Sequence, residues 1–160
     1  MKKIRVGMGY DVHQLVEGRE LWLGGINLPA QKGAVGHSDA DVLIHAICDA
    51  LLGAADLRDI GFHFSNSDNR WKGMDSKFFL REVTSLLATE GWKIGNVDCT
   101  ICLEQPKINP HISAMKSALA PLMQIGEGDV SIKATTSEKV GFVGREEGIN
   151  AYAVALIFKE

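Results

Sequence analysis

The spacing of apolar residues along this chain changes period several times. The opening run Ile4–Tyr10 predicts a first strand. Leu21-Trp22-Leu23 and Ile26-Asn27-Leu28, joined at Gly24-Gly25, predict a short hairpin, and residues 33–37 read as loop. Val42, Leu43, Ala46, Ile47, Ala50, Leu51 and Ala54 recur at helical spacing, which predicts a helix capped by Ser38 or Asp39 and running to about Ala54. Residues 56–69 are polar and irregular, the kind of long connection that often carries function. A second helix opens at Asp75 or Ser76, carries Phe78, Phe79, Val83, Leu86 and Leu87, and stops at Gly91. Val97–Leu103 predicts a strand, Pro110 opens a third helix through about Met123, and Asp129–Ala134 and Ile149–Phe158 predict two further strands.

Helices and strands in this order imply an α+β fold of the two-layer kind. The expected core is a mixed four-stranded sheet with helices on one face, plus the short hairpin. A length of 160 residues fits a single domain over 1–160.

Composition narrows the function. A formal net charge of −3 without a basic block gives nucleic-acid binding no electrostatic support. The stretch Met1-Lys2-Lys3-Ile4-Arg5-Val6-Gly7 breaks into Gly and Asp too early for a leader, and no apolar run is long enough to span a bilayer, so a cytoplasmic protein is expected. Cys48, Cys99 and Cys102 form no disulfide pattern. Cys99 and Cys102 lie three apart on a predicted strand, face opposite ways, and read as packing residues.

Chemistry concentrates first in Gly9-Tyr10-Asp11-Val12-His13 and in His37-Ser38-Asp39-Ala40-Asp41, with His45 beyond it. Asp11 and His13 lie two apart at the strand end and project to one face. If the first helix packs there, His45 completes an Asp/His/His set, the pattern of a zinc site with its fourth position open. Asp41 and Asp49 stand four residues either side of His45 and could orient its ring; otherwise they favour the helix dipole or solvent. Gly7-Met8-Gly9 suggests a dinucleotide fingerprint, but Val12 stands where its third glycine belongs.

The second concentration is Lys133 through Gly148, where Thr135, Thr136 and Ser137 follow a strand end and precede Glu138. Hydroxyls and backbone N–H groups at such a turn can cradle phosphate oxygens, and Glu138 can hold a hard cation beside them. A Ser/Thr turn capping a short helix is the plainer alternative. A third stretch, Glu104-Gln105-Pro106-Lys107-Ile108-Asn109-Pro110, is a rigid two-proline loop able to present backbone groups to a flat ring.

Together these blocks, with Asp59-Ile60-Gly61, Lys72-Gly73-Met74-Asp75-Ser76 and Gly95-Asn96-Val97-Asp98, resemble the 2-C-methyl-D-erythritol 2,4-cyclodiphosphate synthase family over essentially the whole chain. The resemblance implies a homotrimer with active sites between subunits, and zinc on Asp11, His13 and His45. It implies that His37 and Ser38 contact the phosphate region, with His37 stabilising the transition state. Asp59, Ile60 and Gly61 would hold the methylerythritol diol, and Leu103, Glu104, Gln105, Pro106, Lys107, Ile108 and Asn109 the cytosine. Thr135, Thr136, Ser137 and Glu138 would bind the diphosphate with a second cation, Mg²⁺ or Mn²⁺, and Phe142 and Arg145 match further substrate contacts. The chain departs from the family pattern in three places. Its Phe-Pro-Asp-Thr-Asp loop stands here as Phe64-Ser65-Asn66-Ser67-Asp68, its third Thr as Ser137, and the usual Phe before Asp-Val-His as Tyr10.

The implied reaction takes 4-diphosphocytidyl-2-C-methyl-D-erythritol 2-phosphate, sends its 2-phosphate onto the β-phosphorus and releases CMP. A phosphate monoester loses its second proton near pH ~6, so neither a strong base nor a strong acid is required. Two rivals are a zinc phosphohydrolase, which would release hydrolysis products, and a trimeric isoprenoid-phosphate-binding protein with Arg145 and Glu147 facing a central channel.

Overall fold

The computed structural model describes residues 3–160; Met1 and Lys2, part of the stretch read for a leader, lie outside them. Strand β1 (Lys3–Glu17) is far longer than its apolar opening, because pairing carries it through Asp11, His13 and Gln14. Strands β2 (Leu21–Leu23) and β3 (Ile26–Leu28) form the expected hairpin, turning at Gly24 and Gly25, both at positive φ. Strand β4 (Lys32–Val35) occupies residues read as loop.

Helix α1 (Val42–Ala55) follows, then the one-turn helix α2 (Ile60–His63) and helix α3 (Ser76–Thr89). Strand β5 (Lys93–Cys102), helix α4 (Ile112–Met123), strand β6 (Val130–Thr135), the one-turn helix α5 (Gly141–Gly144) and strand β7 (Gly148–Lys159) complete the order.

The main sheet has five strands, not four, in the order β4-β1-β7-β5-β6. The added edge strand is β4, antiparallel to β1 with Gln14 opposite Val35. It is short and glycine-bearing, with no alternation for a pattern to reveal. Only β5 and β6 run parallel, so the sheet is mixed.

Helix α1 is buried on nearly every side and lies directly on β1 and β7. Gly7 and Gly9 make this possible: a Cβ on Gly9 would stand 1.9 Å from the Ala46 carbonyl oxygen, and one on Gly7 2.1 Å from that of Ala50. The paired glycines therefore serve helix–sheet contact, not a nucleotide. Ala153 and Ala155 of β7 are also fully buried. The other sheet face is uncovered and apolar: Ile4, Val6, Met8, Tyr10, Val12, Tyr152 and Val154 are all exposed, Met8 by 65%.

Asp41, not Ser38 or Asp39, caps α1, accepting the Ile44 N–H. Its fully buried carboxylate also takes the N–H groups of Gly24 and Gly25, which anchors the hairpin turn to the helix start. Burial pushes its carboxyl up, and these backbone donors oppose that. Cys48 and Cys99 are buried and Cys102 half-buried, all free thiols. No helix among the described residues is long and apolar enough to cross a membrane.

Candidate metal and phosphate site

Close seating of α1 on β1 carries His45, next to Ala46, over the strand positions of Asp11 and His13. His45 Nδ1 and His13 Nε2 each lie 3.0 Å from Asp11 Oδ2, and 3.2 Å from one another. The three groups offer ligand atoms that all lie within 4.8 Å of each other.

The far side of each ring is also engaged. His13 Nδ1 lies 3.0 Å from the Val35 carbonyl of β4, which can only accept, so Nδ1 carries a proton and, in the neutral ring, Nε2 presents a lone pair. His45 Nε2 lies 2.9 Å from Ser76 Oγ and 3.2 Å from Ser38 Oγ. Two imidazoles and a carboxylate thus converge on one point, an arrangement that a cation satisfies when the inner nitrogens are unprotonated. Burial pushes the Asp11 carboxyl up, but hydrogen bonds and charge from both histidines outweigh it and hold it well below the usual carboxylate range. Burial pushes His45 down, and the Asp11 hydrogen bond and charge outweigh that and raise it.

The set opens onto a cavity of about 310 Å³, also lined by His37, Ser38, Asp49, Ile60, Gly61, Phe64, Asn66, Trp71 and Phe79. Phe64 packs against Trp71 and Phe79 with ring centroids 5.6 and 5.0 Å away, which gives the cavity an aromatic wall. Asp59 caps α2 by accepting the Phe62 N–H, and Asp49 Oδ1 accepts the Ile60 N–H at 2.7 Å. Asp49 and Asp41 therefore do not orient His45: one fixes the 59–61 turn, the other the hairpin. His37 Nε2 donates to the Asp68 carbonyl at 3.2 Å, and the Asp68 carboxylate is bound to exposed Arg70. Ser65 and Ser67 pair with each other at 2.8 Å on the exposed loop. His63 donates to the Leu57 carbonyl and serves the turn.

The other expected substrate residues gather elsewhere. Leu103, Pro106, Lys107, Ile108, Asn109, Thr135 and Thr136 line a separate cleft of about 120 Å³ at the ends of β5 and β6. Glu104 ties its two sides together, accepting the Ser137 N–H at 2.9 Å and the Lys139 N–H at 3.3 Å. These backbone hydrogen bonds hold the Glu104 carboxyl below its usual range against some burial. Glu138 and Lys139 are consecutive residues at positive φ, a costly backbone turn that aims the Glu138 carboxylate outward. Thr136 Oγ1 donates to it at 3.3 Å. Phe142 sits on α5 against Gly148, and Arg145 pairs with Glu147 at the surface. None of residues 103–109 or 135–138 lines the cavity of His45. Between β1 and β6 stand two strands, so roughly 14 Å of sheet separates β1 from β6.

Sequence reasoning missed Ser76 and Val35 as supports of the rings. Val35 contributes only its carbonyl, and Ser76 reads as an ordinary helix start beside Asp75, which does cap α3.

A family model described as the YgbB family matches residues 4–158. The chain is 66% identical to the 2-C-methyl-D-erythritol 2,4-cyclodiphosphate synthase of Cytophaga hutchinsonii, covering 98% of this chain and 99% of that one. A solved 2C-methyl-D-erythritol-2,4-cyclodiphosphate synthase in its CDP-bound form aligns with TM-score 0.88 and 38% identity, over 96% of this chain and 99% of that one. The bifunctional IspDF of Campylobacter jejuni aligns with TM-score 0.96 and 34% identity, over the whole of this chain, which spans 43% of that longer one.

Proposed function

The chain belongs to the YgbB family, and from that premise we propose that it is a 2-C-methyl-D-erythritol 2,4-cyclodiphosphate synthase, a phosphorus–oxygen lyase of non-mevalonate isoprenoid biosynthesis. It takes 4-diphosphocytidyl-2-C-methyl-D-erythritol 2-phosphate. An oxygen of the 2-phosphate forms a new bond to the β-phosphorus, the bond from that phosphorus to the CMP oxygen breaks, and CMP leaves. The observation that carries this reading is the convergence of Asp11, His13 and His45 on one cavity in a chain so similar to named synthases.

Asp11, His13 and His45 would hold Zn²⁺ and Glu138 would help hold Mg²⁺ or Mn²⁺; such cations supply charge stabilisation and orientation for the β-phosphate. The residues themselves do the rest. Asp59, Ile60 and Gly61 hold the diol end, with the turn fixed by Asp49. Asn66, in the loop from Phe64 to Asp68, offers an amide where the family has a carboxylate, so diol binding there relies on its dipole and on Asp59. His37, held by the Asp68 carbonyl, reaches the phosphate region alongside Ser38. The 103–109 loop takes the cytosine, while Thr135, Thr136 and Ser137 present hydroxyls and N–H groups to the diphosphate. Phe142 and Arg145 complete the contacts.

Both nucleophile and leaving group are phosphates, so the task is bringing two anions together and folding the substrate. Well-oriented reacting groups contribute roughly 7–11 kcal/mol toward such a ring closure.

One subunit separates the diol cleft from the cytosine and diphosphate cleft. The exposed apolar sheet face, unusual on a lone chain, offers a surface for assembly. Both features support a homotrimer whose sites combine clefts of neighbouring subunits; as a biosynthetic enzyme it is read as cytoplasmic. The reading is tested by incubating the protein with this substrate and Mg²⁺ and following CMP by chromatography. Release with equimolar cyclic product supports it, and CMP without a cyclic product refutes it.

A further inference from the structure

Ser76 and Asp39 are not part of the ligand set, yet Ser76 meets His45 from behind and Asp39 holds Ser76. We propose that they are positioning residues which fix the nitrogen His45 presents to a metal, an inference that rests on the metal reading above.

Ser76 is fully buried at the first residue of α3. Its hydroxyl lies 2.5 Å from Asp39 Oδ1. A carboxylate only accepts, so the serine donates its single proton there. The geometry around Asp39 enforces this direction. Asp39 Oδ2 also takes the Ser76 N–H at 3.0 Å, and Oδ1 takes the Asp41 N–H at 3.2 Å. With its proton committed, Ser76 Oγ can only accept from His45 Nε2, 2.9 Å away. Nε2 therefore carries the hydrogen and Nδ1 turns a lone pair toward Asp11 and His13. The relay runs carboxylate, hydroxyl, imidazole, metal, with the same outcome that the Val35 carbonyl secures for His13 by a single bond. Ser38 Oγ lies 3.2 Å from the same nitrogen and 3.4 Å from Ser76 Oγ; donating its own proton to Ser76, it serves Nε2 as an auxiliary acceptor.

The test uses zinc alone, titrated against a chromophoric chelator, with the protein and the variants Ser76→Ala, Ser76→Thr and Asp39→Ala. Asp39→Ala removes the acceptor that commits the Ser76 proton and frees the hydroxyl to turn toward His45, which releases the relay. Loss of such a partner weakens metal binding about 10–100-fold. We expect that loss for Ser76→Ala and Asp39→Ala, and substantial recovery for Ser76→Thr, which keeps the hydroxyl. Long-range ¹H–¹⁵N spectra of the zinc-loaded wild type should show His45 bound through Nδ1, with Nε2 protonated. Thermal midpoints of the metal-free proteins separate this role from simple packing. Affinity losses that merely track lost stability, or unchanged affinity in Asp39→Ala, overturn the relay and leave the metal site standing. A wild-type protein that binds no zinc overturns the metal site itself.

Discussion

Nδ1 of His45 lies 3.0 Å from Oδ2 of Asp11 across 34 residues of sequence. That contact depends on α1 resting on β1 with no side chain between them at Gly9. A methyl group at Gly9 would collide with the Ala46 carbonyl, a backbone atom that can only move with the helix. Gly9→Ala should cost about 1–3 kcal/mol of stability as overpacking, and should weaken zinc binding because His45 shifts with α1. Urea unfolding and a zinc titration check both effects; unaltered stability would contradict the packing argument.

His45→Ala should abolish zinc binding and nearly all turnover. Metal content by mass spectrometry of the purified variant decides the first point. A variant that keeps both its zinc and its activity would remove the metal assignment.

Thr136 is half-buried in a different cleft, with its hydroxyl on exposed Glu138. Thr136→Ala should lower kcat with little change in unfolding midpoint. Because the two clefts of one chain are separate, mixing His45→Ala with Thr136→Ala subunits after partial unfolding should regain activity through sites assembled from one intact cleft of each. Absence of any recovery in verified mixed oligomers would contradict shared sites.

Much of this was legible from the sequence, for identifiable reasons. Strand parity alone puts Asp11 and His13 on one face, and the helical spacing after Asp41 puts His45 within reach. Strand β4 was not legible, since Lys32-Gly33-Ala34-Val35 gains strand character only by pairing with the polar half of β1. Nor could the sequence rank Ser38, Asp39 and Asp41 as helix caps. All three are capping types within four residues, and tertiary partners decide: the hairpin turn claims Asp41, while Ser76 claims Asp39. The separation of the two clefts follows from strand order, which no local pattern encodes.

The uncovered sheet face makes a further prediction. Val6→Asp and Met8→Lys place charges among exposed apolar residues without touching the His45 cavity. Sedimentation should show assembly lost in the double variant, activity lost with it, and zinc binding by the separated chains kept. An intact oligomer would rule this face out as the interface.

Burial pushes the Cys99 thiol up to about 12, from an unfolded value near 9.0. A raised folded value means that the contribution to stability is complete below about pH 9 and is lost as pH rises toward 12. The difference in urea midpoint between wild type and Cys99→Ala should therefore stay level up to about pH 9 and shrink above it. A difference that grows with alkalinity would contradict burial of a neutral thiol.

The most direct measurement is phosphorus NMR of the purified protein with 4-diphosphocytidyl-2-C-methyl-D-erythritol 2-phosphate and Mg²⁺, before and after removal of zinc by a chelator. Cyclodiphosphate and CMP signals that vanish on chelation and return with added zinc are the predicted result. Inorganic phosphate or other hydrolysis products, or turnover indifferent to zinc, would contradict it.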